Sequence, residues 1–114
     1  VLLNKLIGPP TARAISLLGE RFSAARAERL GLVTTVVPKA ELAAETKRVT
    51  DILLGYSPLT LRELKTVLDS ALEDDFETAR NTEIAAYARV FGSADKAEGV
   101  AAFIDKRPPR FTGR

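Results

Sequence analysis

The stretch Ser57-Pro58-Leu59-Thr60-Leu61-Arg62-Glu63-Leu64-Lys65-Thr66-Val67-Leu68-Asp69-Ser70-Ala71-Leu72 decides the fold class. Its serine is a favoured helix N-cap, and its proline suits a first helical position, where no backbone N–H is needed. Leu61, Leu64, Leu68, Ala71 and Leu72 then recur at the spacing that gathers them on one helical face. The pattern continues downstream. Asp75 is placed to cap a helix carrying Phe76, Ala79, Tyr87, Val90 and Phe91, closed by Gly92. Ser93 is placed to cap a last helix to about Asp105, which Pro108-Pro109 keeps from continuing. Upstream, Leu42, Val49, Ile52 and Leu53 stripe a helix over about Ala40 to Leu54, ended by Gly55.

The N-terminal part is more broken. Val1 to Ile7 is apolar and reads either as a strand or as the tail of a helix. Gly8-Pro9-Pro10 then opens a short helix to Leu18. Ser23 caps a second short helix, closed by Gly31 at the position after the cap. Leu32 to Val37 is rich in β-branched residues and stops at Pro38, so one short strand is expected there. It has no partner strand within the chain, so it pairs outside it or stays irregular. The fold class is mostly α.

Composition narrows the chemistry. The 114 residues are long enough for one domain with a modest core. There is no cysteine, which excludes disulfides, thiolate zinc sites and a cysteine nucleophile. There is no histidine, which removes the commonest general base and metal ligand near neutral pH. Net charge is only +2, so neither nucleic acid nor a membrane surface is demanded as a partner. The basic excess is local, with Lys106, Arg107, Arg110 and Arg114 crowding the end. No apolar run is long enough to span a bilayer and no secretory signal is seen. The lack of cysteine fits a cytoplasmic protein. The absence of methionine and the start at Val1-Leu2-Leu3 favour a processed or truncated chain.

Three places stand out as candidates for chemistry. Lys65 lies on the wheel beside Leu61, Leu68 and Leu72. It meets an anion or reactive carbonyl there, or it buries its stem and snorkels its ammonium to water. Arg80 and Glu83 lie near the apolar stripe of their helix, three residues apart, as an ion pair at a boundary or, less simply, as a site for a catalytic glutamate. In the last helix the apolar stripe is Ala97, Val100, Ala101 and Ile104, and that face is expected to be the core. Phe103 stands off it with Lys96, Gly99 and Lys106, Arg107 being next to it. A ring among cations either packs against another part of the protein or seats a nucleotide, stacking on a base while the cations meet phosphate.

These residues resemble the crotonase superfamily, the enoyl-CoA hydratases and isomerases. The first run is Ile7-Gly8, Ala12, Ala14, Leu17-Leu18-Gly19, Phe22-Ser23-Ala24, Ala27, Leu30-Gly31-Leu32-Val33 and Val36-Val37-Pro38. The second is Ser57-Pro58 followed by Lys65. The third is Ser93, Asp95, Glu98-Gly99, Ala102-Phe103, Lys106-Arg107-Pro108 and Phe111. The resemblance implies the C-terminal helical region of a ββα spiral fold, which packs into homotrimers, often paired into hexamers. Residues 1–38 then correspond to the end of the spiral core and 39–114 to the oligomerisation region.

The family's oxyanion-hole amides stabilise enolate-like charge on a thioester, and its hydratases add two glutamates for acid–base work on water. No residue here matches them, so no catalytic residue is assigned and the chain alone is expected to be inactive. No metal site and no cofactor are expected, the acyl-CoA thioester being the substrate. Phe103 and Lys106 match positions that, in some members, help bind the adenine and phosphate end of CoA. The rival readings are a helical nucleic-acid-binding module, from the helix-then-glycine pattern of Ala24 to Val33 and the basic tail, or a helical protein-interaction module.

Overall fold

In the computed structural model, which describes residues 1–19 and 21–114, helix follows helix. The chain divides into two compact units, Val1–Thr46 and Lys47–Arg114, the boundary falling inside one helix.

In the first unit, α1 covers Leu2–Ile7 and α2 covers Pro9–Leu18. Val1 to Ile7, open between strand and helix on sequence, is therefore helical. Pro9 and Pro10 fill the first turn of α2, where their missing N–H groups leave nothing unsatisfied. The two helices pack together, with Ala12 buried. Ser23 caps α3, Ala24–Arg29, by accepting from the Arg26 N–H at 3.2 Å. The end of α3 is a Schellman turn: Gly31 N–H donates to the Glu28 carbonyl and Leu32 N–H to the Ala27 carbonyl, each at 2.9 Å. Gly31 sits at φ 74°, a left-handed geometry that suits a residue without Cβ.

The strand expected over Leu32 to Val37 is absent: no residue there is in a strand, and Val33 and Val36 are exposed. The segment is irregular because β-propensity needs a neighbour to supply ladder hydrogen bonds. Its backbone takes a local partner instead, Val36 N–H donating to Glu28 Oε1 at 3.1 Å. A 3₁₀ turn at Lys39–Glu41 leads into α4, Leu42–Leu54.

In the second unit, α5 is Pro58–Glu73, α6 is Phe76–Phe91 and α7 is Ala94–Ile104. Each begins on the expected cap. Ser57 accepts from Thr60 N–H, Asp75 from the N–H groups of Glu77 and Thr78, and Ser93 from Lys96 N–H. The tight Asp74-Asp75 connection makes α5 and α6 antiparallel neighbours. Ala86 is buried between them, and Ser70 Oγ donates to Asp74 at 2.6 Å and lies 3.3 Å from Thr82 Oγ1. Arg89 closes the pair by an ion pair to Glu63 at 2.6 Å.

The apolar stripes themselves stay largely open. Leu64 and Leu68 on α5, Phe76, Ile84 and Tyr87 on α6, and Ile52 and Leu53 on α4 are all exposed. Among the described residues the fully buried apolar side chains are alanines, Ala12, Ala86 and Ala102. No helix among the described residues is long and apolar enough to cross a membrane.

Candidate functional site

The best-defined polar structure in the chain is built by α7 and the tail behind it. Asp95, in the first turn of α7, is 2% exposed. Its carboxylate accepts from Ser57 Oγ at 2.6 Å, from Thr112 N–H at 2.7 Å and from Gly113 N–H at 2.9 Å. Its own N–H donates to the Arg114 carbonyl at 2.9 Å. Burial opposes ionisation of Asp95, but the hydrogen bonds from Ser57, Thr112 and Gly113 hold its carboxyl below the ordinary range. One side chain thus ties the cap of α5, the start of α7 and the C-terminus together.

One turn further along, Glu98 takes a two-pronged pair from Arg107: Nη1 to Oε1 at 2.6 Å and Nη2 to Oε2 at 3.0 Å. The Arg110 N–H adds a third bond to Oε1 at 2.7 Å. The Arg107 guanidinium and the Arg110 N–H pull the Glu98 carboxyl down from 4.5 to about 2. Between these anchors the Phe111 ring runs over Gly99, where a Cβ would lie 3.5 Å from it. Residues 107–114 therefore form a strap running back along α7. An open groove of about 620 Å³ lies along it, lined by Asp95, Glu98, Arg107, Pro108 and Arg110.

The strap corrects the reading of the α7 faces. Val100 and Ile104, expected in the core, are 48% and 71% exposed. The covered face carries Asp95 and Ala102, with Glu98 and Gly99 partly buried. The side that is covered here is the one facing the chain's own tail, which is held by hydrogen bonds to Asp95 and Glu98 and by the Phe111 ring over Gly99.

The chain turns back at the candidate ligand residues. Phe103 is 85% exposed in the last turn of α7. Lys106 follows at φ 53°, the one non-glycine residue with positive φ among those described. Its N–H donates to the Phe103 carbonyl at 3.3 Å, and Arg107 N–H donates to the Ala102 carbonyl at 3.0 Å, the hydrogen bonds of a Schellman turn. Arg107 is engaged by Glu98 and Asp105. Lys106 makes no ion pair among the described residues. The corner therefore offers an exposed ring and, among the described residues, a cation without an ion pair, three positions apart.

The other candidates are not drawn to this corner. Lys65 pairs with Asp69 at 3.0 Å and its side chain is 76% exposed, so the expected buried stem is not found. No ion pair joins Arg80 to Glu83 among the described residues. An arginine placed before its acid is the weaker order on a helix. Both line a concavity beside Phe76 and Val67.

A sequence profile of the family described as Enoyl-CoA hydratase/isomerase matches residues 1–114. This chain belongs to that family. It is 35% identical over 112 residues to a protein described as a probable enoyl-CoA hydratase in Mycobacterium tuberculosis, covering 98% of this chain and 44% of the relative. It is 30% identical over 112 residues to crotonyl-CoA hydratase of Syntrophomonas wolfei, covering 98% and 43%. A crystal structure of enoyl-CoA hydratase from Bacillus anthracis superposes with a TM-score of 0.93 at 31% identity, covering 98% of this chain and 43% of that one. The chain thus spans less than half the length of these enoyl-CoA hydratases. The mostly helical fold class and the crotonase resemblance are borne out, and the family match supports them over the nucleic-acid reading. What the sequence does not reveal is the strap that Asp95, Glu98 and Arg107 hold to α7. Their partners lie nine to 38 positions away across a chain reversal, where helical periodicity gives no signal.

Proposed function

We propose that this chain is the CoA-facing, C-terminal helical part of an enoyl-CoA hydratase/isomerase family enzyme, contributing assembly surface and ligand contacts but no catalytic residue. The parent reaction is addition of water across a 2-enoyl-CoA or a related step through a stabilised enolate, on an acyl-CoA thioester substrate and without a cofactor. Residues 1–38 belong to the end of the spiral core and 39–114 to the region that assembles a homotrimer or hexamer. The exposed stripes of α4, α5 and α6 support such assembly, because apolar faces of this size are seldom left to water. A cytoplasmic location fits the bacterial relatives.

The observation that carries the ligand assignment is the corner itself: Phe103 at 85% exposure, followed by a Lys106 with no ion pair among the described residues. An exposed ring stacks on adenine, and a lysine ammonium meets phosphate as a point charge. In the natural gene product, Phe103→Ala is expected to weaken CoA binding about tenfold, the effect of losing one base–aromatic stack. Lys106→Ala is expected to weaken it and to flatten its salt dependence. CoA affinity unchanged in both variants by calorimetry defeats the assignment. The 114 residues alone are expected to leave the enoyl-thioester absorbance of crotonyl-CoA unchanged.

A further inference from the structure

Lys106 holds a backbone geometry that L-residues avoid. A left-handed residue other than glycine crowds its Cβ against the following carbonyl, which is why such residues are uncommon. Glycine occupies the equivalent place at the end of α3, at φ 74°, and a glycine would serve the turn at φ 53° as well. Such a residue persists only where its surroundings over-determine it. Here the surroundings are identifiable. The Arg107 guanidinium grips both oxygens of Glu98, one face back along α7, and the next turn of tail adds the Arg110 N–H to the same carboxylate. Arg107, which closes the tight turn, is therefore fixed to α7 twice, at Ala102 by its backbone N–H and at Glu98 by its side chain.

We propose that Glu98 and Arg107 are positioning residues: their two-pronged pair clamps the turn that holds Lys106 in its left-handed conformation, fixing its ammonium relative to the Phe103 ring for an aromatic, phosphate-bearing ligand. The inference rests on the CoA reading above and deepens it. Neither clamp residue touches the ligand. Arg107 is held by Glu98 and Asp105, so of the adjacent cations Lys106 and Arg107 one is structural and the other is presented. A planar fork gripping a carboxylate sets orientation as well as distance, which a lysine in the same place does not do. Pre-setting the Lys106–Phe103 geometry lowers the ordering cost that a flexible lysine at a chain end carries into binding.

The test uses the natural gene product with CoA as the probe. CoA affinity is measured calorimetrically for wild type, Lys106→Ala, Glu98→Gln, Arg107→Lys and the double variant Lys106→Ala/Glu98→Gln. Amide exchange at Arg110 reports whether the clamp has opened. Glu98→Gln and Arg107→Lys are each expected to weaken CoA several-fold, Arg107→Lys the less because it keeps the charge. In the Lys106→Ala background, Glu98→Gln is expected to add little, because the residue being positioned is gone. A purely structural clamp gives the same fold-loss in both backgrounds. Equal losses overturn the positioning role, as does a faster Arg110 amide with CoA affinity unchanged. If Lys106→Ala alone leaves CoA affinity unchanged, it is the CoA reading that fails. Arg107→Lys, which keeps a cation beside Glu98, serves if Glu98→Gln does not fold.

Discussion

Two helices in this chain end on the same hydrogen-bond pattern with different residues at the turn. At the end of α3, Gly31 takes the left-handed position, and its N–H and that of Leu32 satisfy the Glu28 and Ala27 carbonyls. At the end of α7, Lys106 takes it, with the Phe103 and Ala102 carbonyls satisfied in the same way. The first turn needs nothing beyond itself. The second is held by a strap with buried Asp95 at one end and Glu98 near the other. An intrinsically costly residue at a helix end, supported by an elaborate polar anchor, is what a position kept for its side chain looks like.

The largest effect is expected at the anchor of the strap. Asp95→Ala leaves the Ser57 hydroxyl and the Thr112 and Gly113 N–H groups without their acceptor in a site that is nearly closed to water. Unsatisfied buried donors are costly, so a fall in melting temperature on the order of 10 °C is expected by circular dichroism. The tail amides should also exchange faster. The α3 end should be untouched, and faster exchange at Gly31 and Leu32 as well would count against the strap as a separate support.

Acid should release the same anchor by a smaller step. The Glu98 carboxyl titrates near 4.5 when unfolded and about 2 when paired with Arg107. A lowered folded value means that its contribution is complete above about pH 4.5 and is lost as pH falls toward 2. Asp95, Asp75 and Glu63 are lowered too and add to the same acid limb. Stability measured from pH 5 to 2 should therefore fall less steeply in Glu98→Gln than in wild type; identical slopes would contradict the pairing.

The smallest effects exchange the two turn residues. Gly31→Ala meets nothing within 4 Å, so its cost is backbone strain alone, roughly 1 kcal/mol. Lys106→Gly relieves that strain and is expected to stabilise the fold by about 0.5 kcal/mol while weakening CoA. Urea melts of the two variants should move in opposite directions. A destabilised Lys106→Gly would mean that the lysine side chain supports the turn.

How much of this could be read in advance follows from the range of each interaction. Ser57, Asp75 and Ser93 were legible as caps because a cap reaches only two or three residues ahead. The irregular run from Leu32 to Val37 was misread because its β-branched residues state a preference that needs a partner strand. The covered face of α7 was inverted because Asp95 and Glu98 look solvent-facing until the tail supplies their donors. The conformation of Lys106 was invisible, since the usual sequence signal for a left-handed turn is a glycine.

Contact between the α7 corner and CoA would be seen in a crystal structure of the natural gene product with CoA bound. In that structure the adenine ring should stack on Phe103 and a CoA phosphate should lie within hydrogen-bond reach of Lys106 Nζ, with the Glu98–Arg107 pair intact and Lys106 still at positive φ. CoA bound with both Phe103 and Lys106 out of contact would contradict it.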